Sequence, residues 1–462
     1  MEIYRLRSSH ALLDGLNELE NQEIFFASPE ELNDPMEGFL NIYWQGDRIV
    51  WRNIFKYYLY NLSKLILQMP LIGRDYEFDI NLINLNSNIA TKFATSFDHY
   101  DVYWNASNEI INNNEVNKLI TKLSEDNIKI FREDLKIIFM AIHLYAIKFI
   151  SAQAEHYNIY DFFLHASSFP VDLNTYFSDV VNEIENNNGE FILLKKLKKN
   201  YNNLLNITIE KQFNKKKISN INFIINEYSA SFVESLIQIT YKNVFIVCFT
   251  KNFNNPTMWS HYADGHKGSC LIFSTSTPEY LNSYIRSLND HVISVSKDDA
   301  SDFQYMKVSP VTYSNDYSEV NFFDISGNIV TGIFKECWLS EGKNKSYLYD
   351  RRYKNHERWQ DEYYDKAHSL FFQKSKSWNK EEEWRSIIMK PYYDGSIEER
   401  KLKYNFLNLK GIVFGIKTSE KDKLKIITII KEKCKKNNIT DFKFYQAFYN
   451  YNTGSIDRFE LE

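Results

Sequence analysis

Hydrophobic positions fall along this chain in two regimes. Towards both ends, short apolar runs of strand length alternate with helical segments, whereas from about Asn41 to Tyr241 the spacing is helical. Val244–Phe249 is a continuous apolar run, the pattern of a strand covered on both faces. Asn255 caps a short helix that Pro256 opens and Gly265 closes, and Ser269–Ser274 returns as a second strand. Glu2–Leu6 and Glu23–Ala27 read as strands. They flank a helix from Ser9 to about Glu20, with Leu12, Leu13, Leu16 and Leu19 as its apolar stripe. Ser28-Pro29-Glu30-Glu31 combines an N-cap serine, a proline at the first helical position and a glutamate at the third, which is a capping box. Asn33-Asp34-Pro35 then ends the turn.

The middle predicts helices over about 47–69, 115–123, 128–157, 190–206 and 220–240, broken by asparagine-rich stretches such as Asn112-Asn113-Asn114. Beyond it come a helix over 278–288, a strand over 308–313, a strand over 386–389 and an α/β ending. That ending is strand 411–416, helix 419–435 and strands near 441–447 and 456–461. The expected fold class is α+β: a mixed β-sheet core built from 1–40 and 243–462, with a large all-helical insertion over 41–242.

Composition narrows this further. With 44% hydrophobic residues in 462, the chain can bury a sizeable core. A net charge of −5 supplies no global footprint for nucleic acid. The start, MEIYRLRSSH, has no apolar secretory region. Leu135–Ile150 is interrupted by Lys136, His143 and Lys148 and reads as a buried helix, so no membrane partner is expected. Cys248, Cys270, Cys337 and Cys434 lack metal or pairing logic, which fits a cytoplasmic location.

Glycine-rich phosphate loops, HExxH, GxSxG and CxxC are all absent. His261 and His266, five apart, diverge by roughly 140° on a regular helix, so no metal is expected. Trp259 and Tyr262 share a helix face and serve either as core aromatics or as a platform for a flat ligand ring. His261, His266 and Lys267 crowd the same stretch. Glu381 and Glu383 precede an apolar strand and stand between Trp378 and Trp384, with Arg385 able to pair with one of them. Two such carboxylates suit stabilising an oxocarbenium ion while taking a proton from an incoming hydroxyl. Arg5 either binds a phosphate or neutralises a carboxylate.

Several of these motifs carry a resemblance. Phe26-Ala27-Ser28-Pro29, Leu32-Asn33-Asp34-Pro35-Met36-Glu37-Gly38, Cys248-Phe249-Thr250, Met258 to Gly268 and Trp378 to Arg385 resemble the bacterial domain-of-unknown-function family 2971, over roughly 1–40 and 243–462. That family brings no settled activity. The layout of the opening segment is also similar to ADP-ribosyltransferases. That similarity implies NAD as the ligand, Arg5 at its phosphate or ribose, Ser28 at the nicotinamide ribose, Tyr262 stacking on nicotinamide and Glu383 at the oxocarbenium ion. It further implies a bacterial toxin or antiphage effector that acts on a protein or nucleotide-type target. Two alternatives stand beside it: a non-enzymatic sensor or protein-interaction module whose helical insertion binds a partner, and a nuclease.

Overall fold

The apolar runs at the two ends of the chain become neighbouring strands of one sheet. A computed structural model describes residues 1–34, 41–68, 77–90, 100–157, 178, 182, 218–241, 243–280, 287–297, 303–316, 319–325, 329–354, 371–390 and 395–461. The helix expected over 190–206, most of that over 278–288, and Pro35 to Gly38 lie outside the described residues. The chain divides into two units, one of residues 1–39, 243–318 and 367–462, the other of 40–242 and 319–366.

In the first unit the strands, in chain order, are β1 (Glu2–Arg7), β2 (Glu23–Phe25), β3 (Val244–Thr250), β4 (Ser269–Ser274), β5 (Val292–Ser296), β6 (Gln304–Lys307), β7 (Ser309–Pro310), β8 (Thr312–Tyr313), β9 (Gln373–Lys374), β10 (Glu383–Met389), β11 (Lys401–Tyr404), β12 (Leu409–Phe414), β13 (Lys443–Asn450) and β14 (Ser455–Glu460). The helices used below are α1 (Ser9–Leu13), α2 (Glu18–Asn21), α3 (Pro256–Tyr262) and α4 (Glu420–Lys436). Eight strands form the main sheet in the order β14-β13-β12-β4-β1-β3-β10-β7. Only β12 and β13 run parallel; the other neighbours are antiparallel. A second sheet has the order β2-β11-β5-β6, and β8 and β9 pair on their own.

Register decides which side chains meet. Tyr4 lies opposite both Thr250 and Ile272, and Thr250 lies opposite Glu383. Residues directly opposite each other share a face. Tyr4, Leu6, Thr250, Cys248, Glu383 and Arg385 therefore stand on one face, and Ile3, Arg5, Phe249 and Trp384 on the other. The first face is covered by α3 through Met258 and Trp259. The second packs against Ile24, Phe26, Ile293 and the Ile426 and Ile430 stripe of α4. The expected helix over 9–20 is two short ones, because Asn17 takes a left-handed conformation (φ 52°) and restarts the chain at Glu18.

The second unit is mainly helical, with long helices Arg48–Gln68 and Arg132–His156. It is not all helix. Asn41–Trp44, Ile130–Phe131 and Glu319–Asn321 form a three-stranded sheet, so the stretch after 318 groups with the helices. Arg132–His156 is long and apolar enough to cross a membrane, yet two-thirds of its most apolar window is buried. The helix expected over 220–240 contains a π-turn at Phe223–Glu227. There the Ile224 carbonyl accepts a hydrogen bond from His143 Nε2 (2.7 Å). A carbonyl only accepts, so Nδ1 of that ring is the acceptor for Tyr58 Oη at 2.7 Å. Tyr58 also meets Ser229 Oγ (2.8 Å), which joins three helices in one buried polar chain.

Candidate active site

The site grows from the end of β3. Thr250 closes that strand, and its hydroxyl donates to the Glu381 carbonyl, fixing the turn that leads into β10. Glu382 then takes a left-handed conformation (φ 45°), and its carbonyl accepts from Lys251 N (3.1 Å). Tyr313 Oη receives the Glu383 N–H (2.7 Å). These contacts bring the side chains of Glu381 and Glu383 onto one ammonium. Lys374 Nζ, from β9, lies 2.7 Å from Glu381 Oε2 and 3.0 Å from Glu383 Oε2.

The two carboxylates are held differently. Glu383 takes Arg385 in a fork, Nε to Oε1 at 2.6 Å and Nη2 to Oε2 at 3.1 Å, while Arg385 Nη1 donates to the Phe371 carbonyl (2.9 Å). Glu381 Oε1 accepts the neutral Tyr262 hydroxyl from α3 (3.0 Å). Exposure is 6% at Glu381, 4% at Glu383, 2% at Lys374 and 0% at Arg385. Burial opposes charge on Glu383, but Arg385 and Lys374 outweigh it and lower its pKa to about 2. Burial also dominates at Glu381, and there the single ammonium and the Tyr262 hydroxyl do not overcome it, so its pKa is raised. Burial pushes the Tyr262 phenol far up, so it stays a donor. One carboxylate is thus fixed as an anion, and its neighbour is able to give and take a proton.

Of the residues singled out from sequence, Glu381, Glu383, Arg385 and Tyr262 come together here. His261 stands at the rim, exposed, its ring 6.0 Å from that of Trp378. Trp259 is not a platform: it is fully buried against the sheet, and its indole N–H donates to the Phe253 carbonyl (2.6 Å). Arg5 is not in the site either. It lies on the opposite face, where Nη1 meets Glu18 Oε2 at 2.9 Å and Nη2 meets the Phe25 carbonyl at 3.1 Å. Alternation along β1 forbids it from sharing a cavity with Glu383. Ser28 belongs to the capping box with Glu31, and Ala27 pairs with Ile246, four residues along β3 from Thr250. His266 and Lys267 sit in the loop that closes over the Arg7 end of β1. Ser9 Oγ donates to the Lys267 carbonyl there, and a Cβ on Gly268 would lie 2.0 Å from the Arg7 carbonyl oxygen. Burial and Lys417 lower the His266 pKa.

Lys374 and Tyr313 were not singled out from sequence. The available signal was the run Phe371-Phe372-Gln373-Lys374, a lysine ending an apolar stretch seven residues before Glu381. A groove of about 780 Å³ lined by Leu13, Lys421, Leu424 and Ile429 lies against α4, on the other side of the sheet, and takes no part in this chemistry. Among the described residues no three His, Cys, Asp or Glu side chains are placed to hold a metal ion.

Comparison with known proteins adds one finding. No curated protein and no solved structure matches the chain. The model of a family described as "Protein of unknown function (DUF2971)" matches residues 258–386, from Met258 in α3 to Ser386 in β10. The match is narrower than the two-ended resemblance expected from sequence, yet it encloses Tyr262, Lys374, Glu381, Glu383 and Arg385. Over the segment that builds the carboxylate site, the chain therefore carries the signature of the family of unknown function DUF2971, whose motifs it resembles.

Proposed function

We propose that this protein is an enzyme that uses Glu381 as a general acid–base group on a nucleotide-type ligand, with NAD as the substrate. The observation that carries the reading is the pair of adjacent carboxylates with proton affinities driven apart, Glu381 upward and Glu383 downward. In this reading the glycosidic bond between ribose and nicotinamide breaks, and its electron pair stays on the pyridine nitrogen. Water or a target hydroxyl adds to the ribose carbon and gives its proton to Glu381 Oε1, beside Tyr262. Glu383, already bridged by Arg385 and Lys374, does not face the ribose and instead holds the Lys374 ammonium against Glu381. Exposed Lys376 and Lys380, on the turn before Glu381, supply cations for the pyrophosphate. Arg5 and Ser28 have no role in it. A toxin or antiphage effector is the cellular role that fits NAD consumption, and the helical unit would recognise its target or trigger.

The test is incubation of the full chain with NAD and measurement of free nicotinamide. Release by the wild type that falls at least ~100-fold in Glu381→Gln supports the proposal. No release from the wild type, with and without cell extract as a source of targets, refutes NAD as substrate.

A second reading is favoured by the burial of Lys374, Glu383 and Arg385. There the ion cluster is a clasp that pins β9 to β10, and the protein is a sensor or interaction module. Partner capture that survives Glu381→Gln and Tyr262→Ala, with no nicotinamide release, would select it.

A further inference from the structure

The ammonium of Lys374 is shared between two carboxylates that differ in every other partner. Glu383 keeps a two-pronged guanidinium whether or not Lys374 is present. Among the described residues, Glu381 has Lys374 on Oε2 and only the neutral Tyr262 hydroxyl on Oε1. Removing the ammonium would leave Glu383 with a cation and Glu381 with none. Lys374 also sits 4.8 Å from the centre of the Trp378 ring, so that indole reports on its charge and position.

We propose that Lys374 is the positioning residue of this site. Its ammonium draws Glu381 Oε2 inward, leaves Oε1 with Tyr262 beside the exposed His261, and so makes Glu381, not Glu383, the carboxylate that exchanges a proton with a ligand. The inference rests on the acid–base reading above. It explains why a residue outside the Trp378–Arg385 motif is almost wholly buried between the two carboxylates. Burial raises the Glu381 pKa and Lys374 is the principal group acting against it, so loss of the ammonium should raise it further.

The test needs no turnover. The full chain is labelled with 5-fluorotryptophan, the Trp378 fluorine resonance is assigned with Trp378→Phe, and its position is followed against pH. Wild type should show a step that disappears in Glu381→Gln. In Lys374→Met the proton affinity read from that step should rise about tenfold or more, the usual effect of losing an opposite charge within a few ångströms. Lys374→Arg should return it most of the way to the wild-type midpoint. An unmoved midpoint in folded Lys374→Met overturns the proposal. Where Lys374→Met gives no folded protein, Lys374→Gln takes its place under the same rule. If both neutral variants fail to fold while Lys374→Arg folds, the lysine is a structural pin and the proposal falls. Absence of nicotinamide release from the wild type would remove the NAD reading and leave the titration result standing. An unmoved midpoint in a protein that does release nicotinamide would remove only the role of Lys374.

Discussion

Replacing Glu383 by glutamine should loosen the sheet where β3 and β10 pair. In the folded chain the Glu383 pKa drops from 4.5 to about 2. At about 1.36 kcal/mol per tenfold in proton affinity, that difference is worth about 3 kcal/mol of stability at neutral pH. The figure agrees with the cost of about 3–5 kcal/mol for breaking a buried ion pair from one side. The sign follows from a lowered acid: the contribution is whole above pH 4.5 and is lost as the pH falls through about 2. Glutamine forfeits it at every pH and leaves Lys374 to Glu381 and Arg385 without that carboxylate. The amides of Trp384 to Met389 pair in register with Phe249 to Val244, so native-state hydrogen exchange reads the effect directly. At pH 7 their protection should fall about 100-fold in Glu383→Gln, with amides of the helical unit unchanged. Unchanged protection in β10 would refute the claim that the Arg385–Glu383–Lys374 cluster holds this part of the sheet.

Four further outcomes follow from other positions. Burial lowers the His143 pKa from 6.5 to about 4, so the unfolded chain takes up a proton that the folded one refuses as the pH falls through this window. The helical unit should lose up to about 3 kcal/mol between pH 6.5 and 4, and circular dichroism should show this dependence vanish in His143→Gln. Arg5→Ala should cost about 2 kcal/mol, since buried Glu18 loses one cation but keeps Arg7, while leaving nicotinamide release per folded molecule unaltered. A loss of turnover in folded Arg5→Lys would contradict its place on the far face. Gly268→Ala forces a Cβ within 2.0 Å of the Arg7 carbonyl oxygen and should give little folded protein. Gly265→Ala, with nothing within 4 Å but φ at +58°, should cost only about 1 kcal/mol in a denaturation series.

Much of the fold was legible because local rules decide it. The run Val244–Phe249, the Asn255-Pro256 cap and the Ser28–Glu31 capping box each appear where the chain places them. Glu381, Glu383 and Arg385 were also readable as a group, since charge beside an apolar strand needs a reason, while Tyr262 joined Glu383 only through the layout similar to ADP-ribosyltransferases. What sequence could not give was the face. The layout similar to ADP-ribosyltransferases puts Arg5 and Glu383 in one site, but the cross-strand register sends them to opposite sides. The parity of a strand is invisible until its neighbours are known. Of the two readings of Trp259, core aromatic or ligand platform, the sheet beneath it selects the first. Lys374 was missed because lysine at the end of an apolar run usually points to solvent, and only the long-range pairing of β8 with β9 carries it inward.

The most direct test of the account is the ionisation of the two carboxylates in the folded protein. Carbon-13 spectra of glutamate-labelled chain, compared between wild type and Glu381→Gln across pH, isolate the Glu381 carboxyl. The account predicts that this signal titrates above 4.5, while a Glu383 signal, isolated the same way, stays ionised down to about 2. A Glu381 signal that titrates at or below 4.5, alongside Glu383, would contradict it.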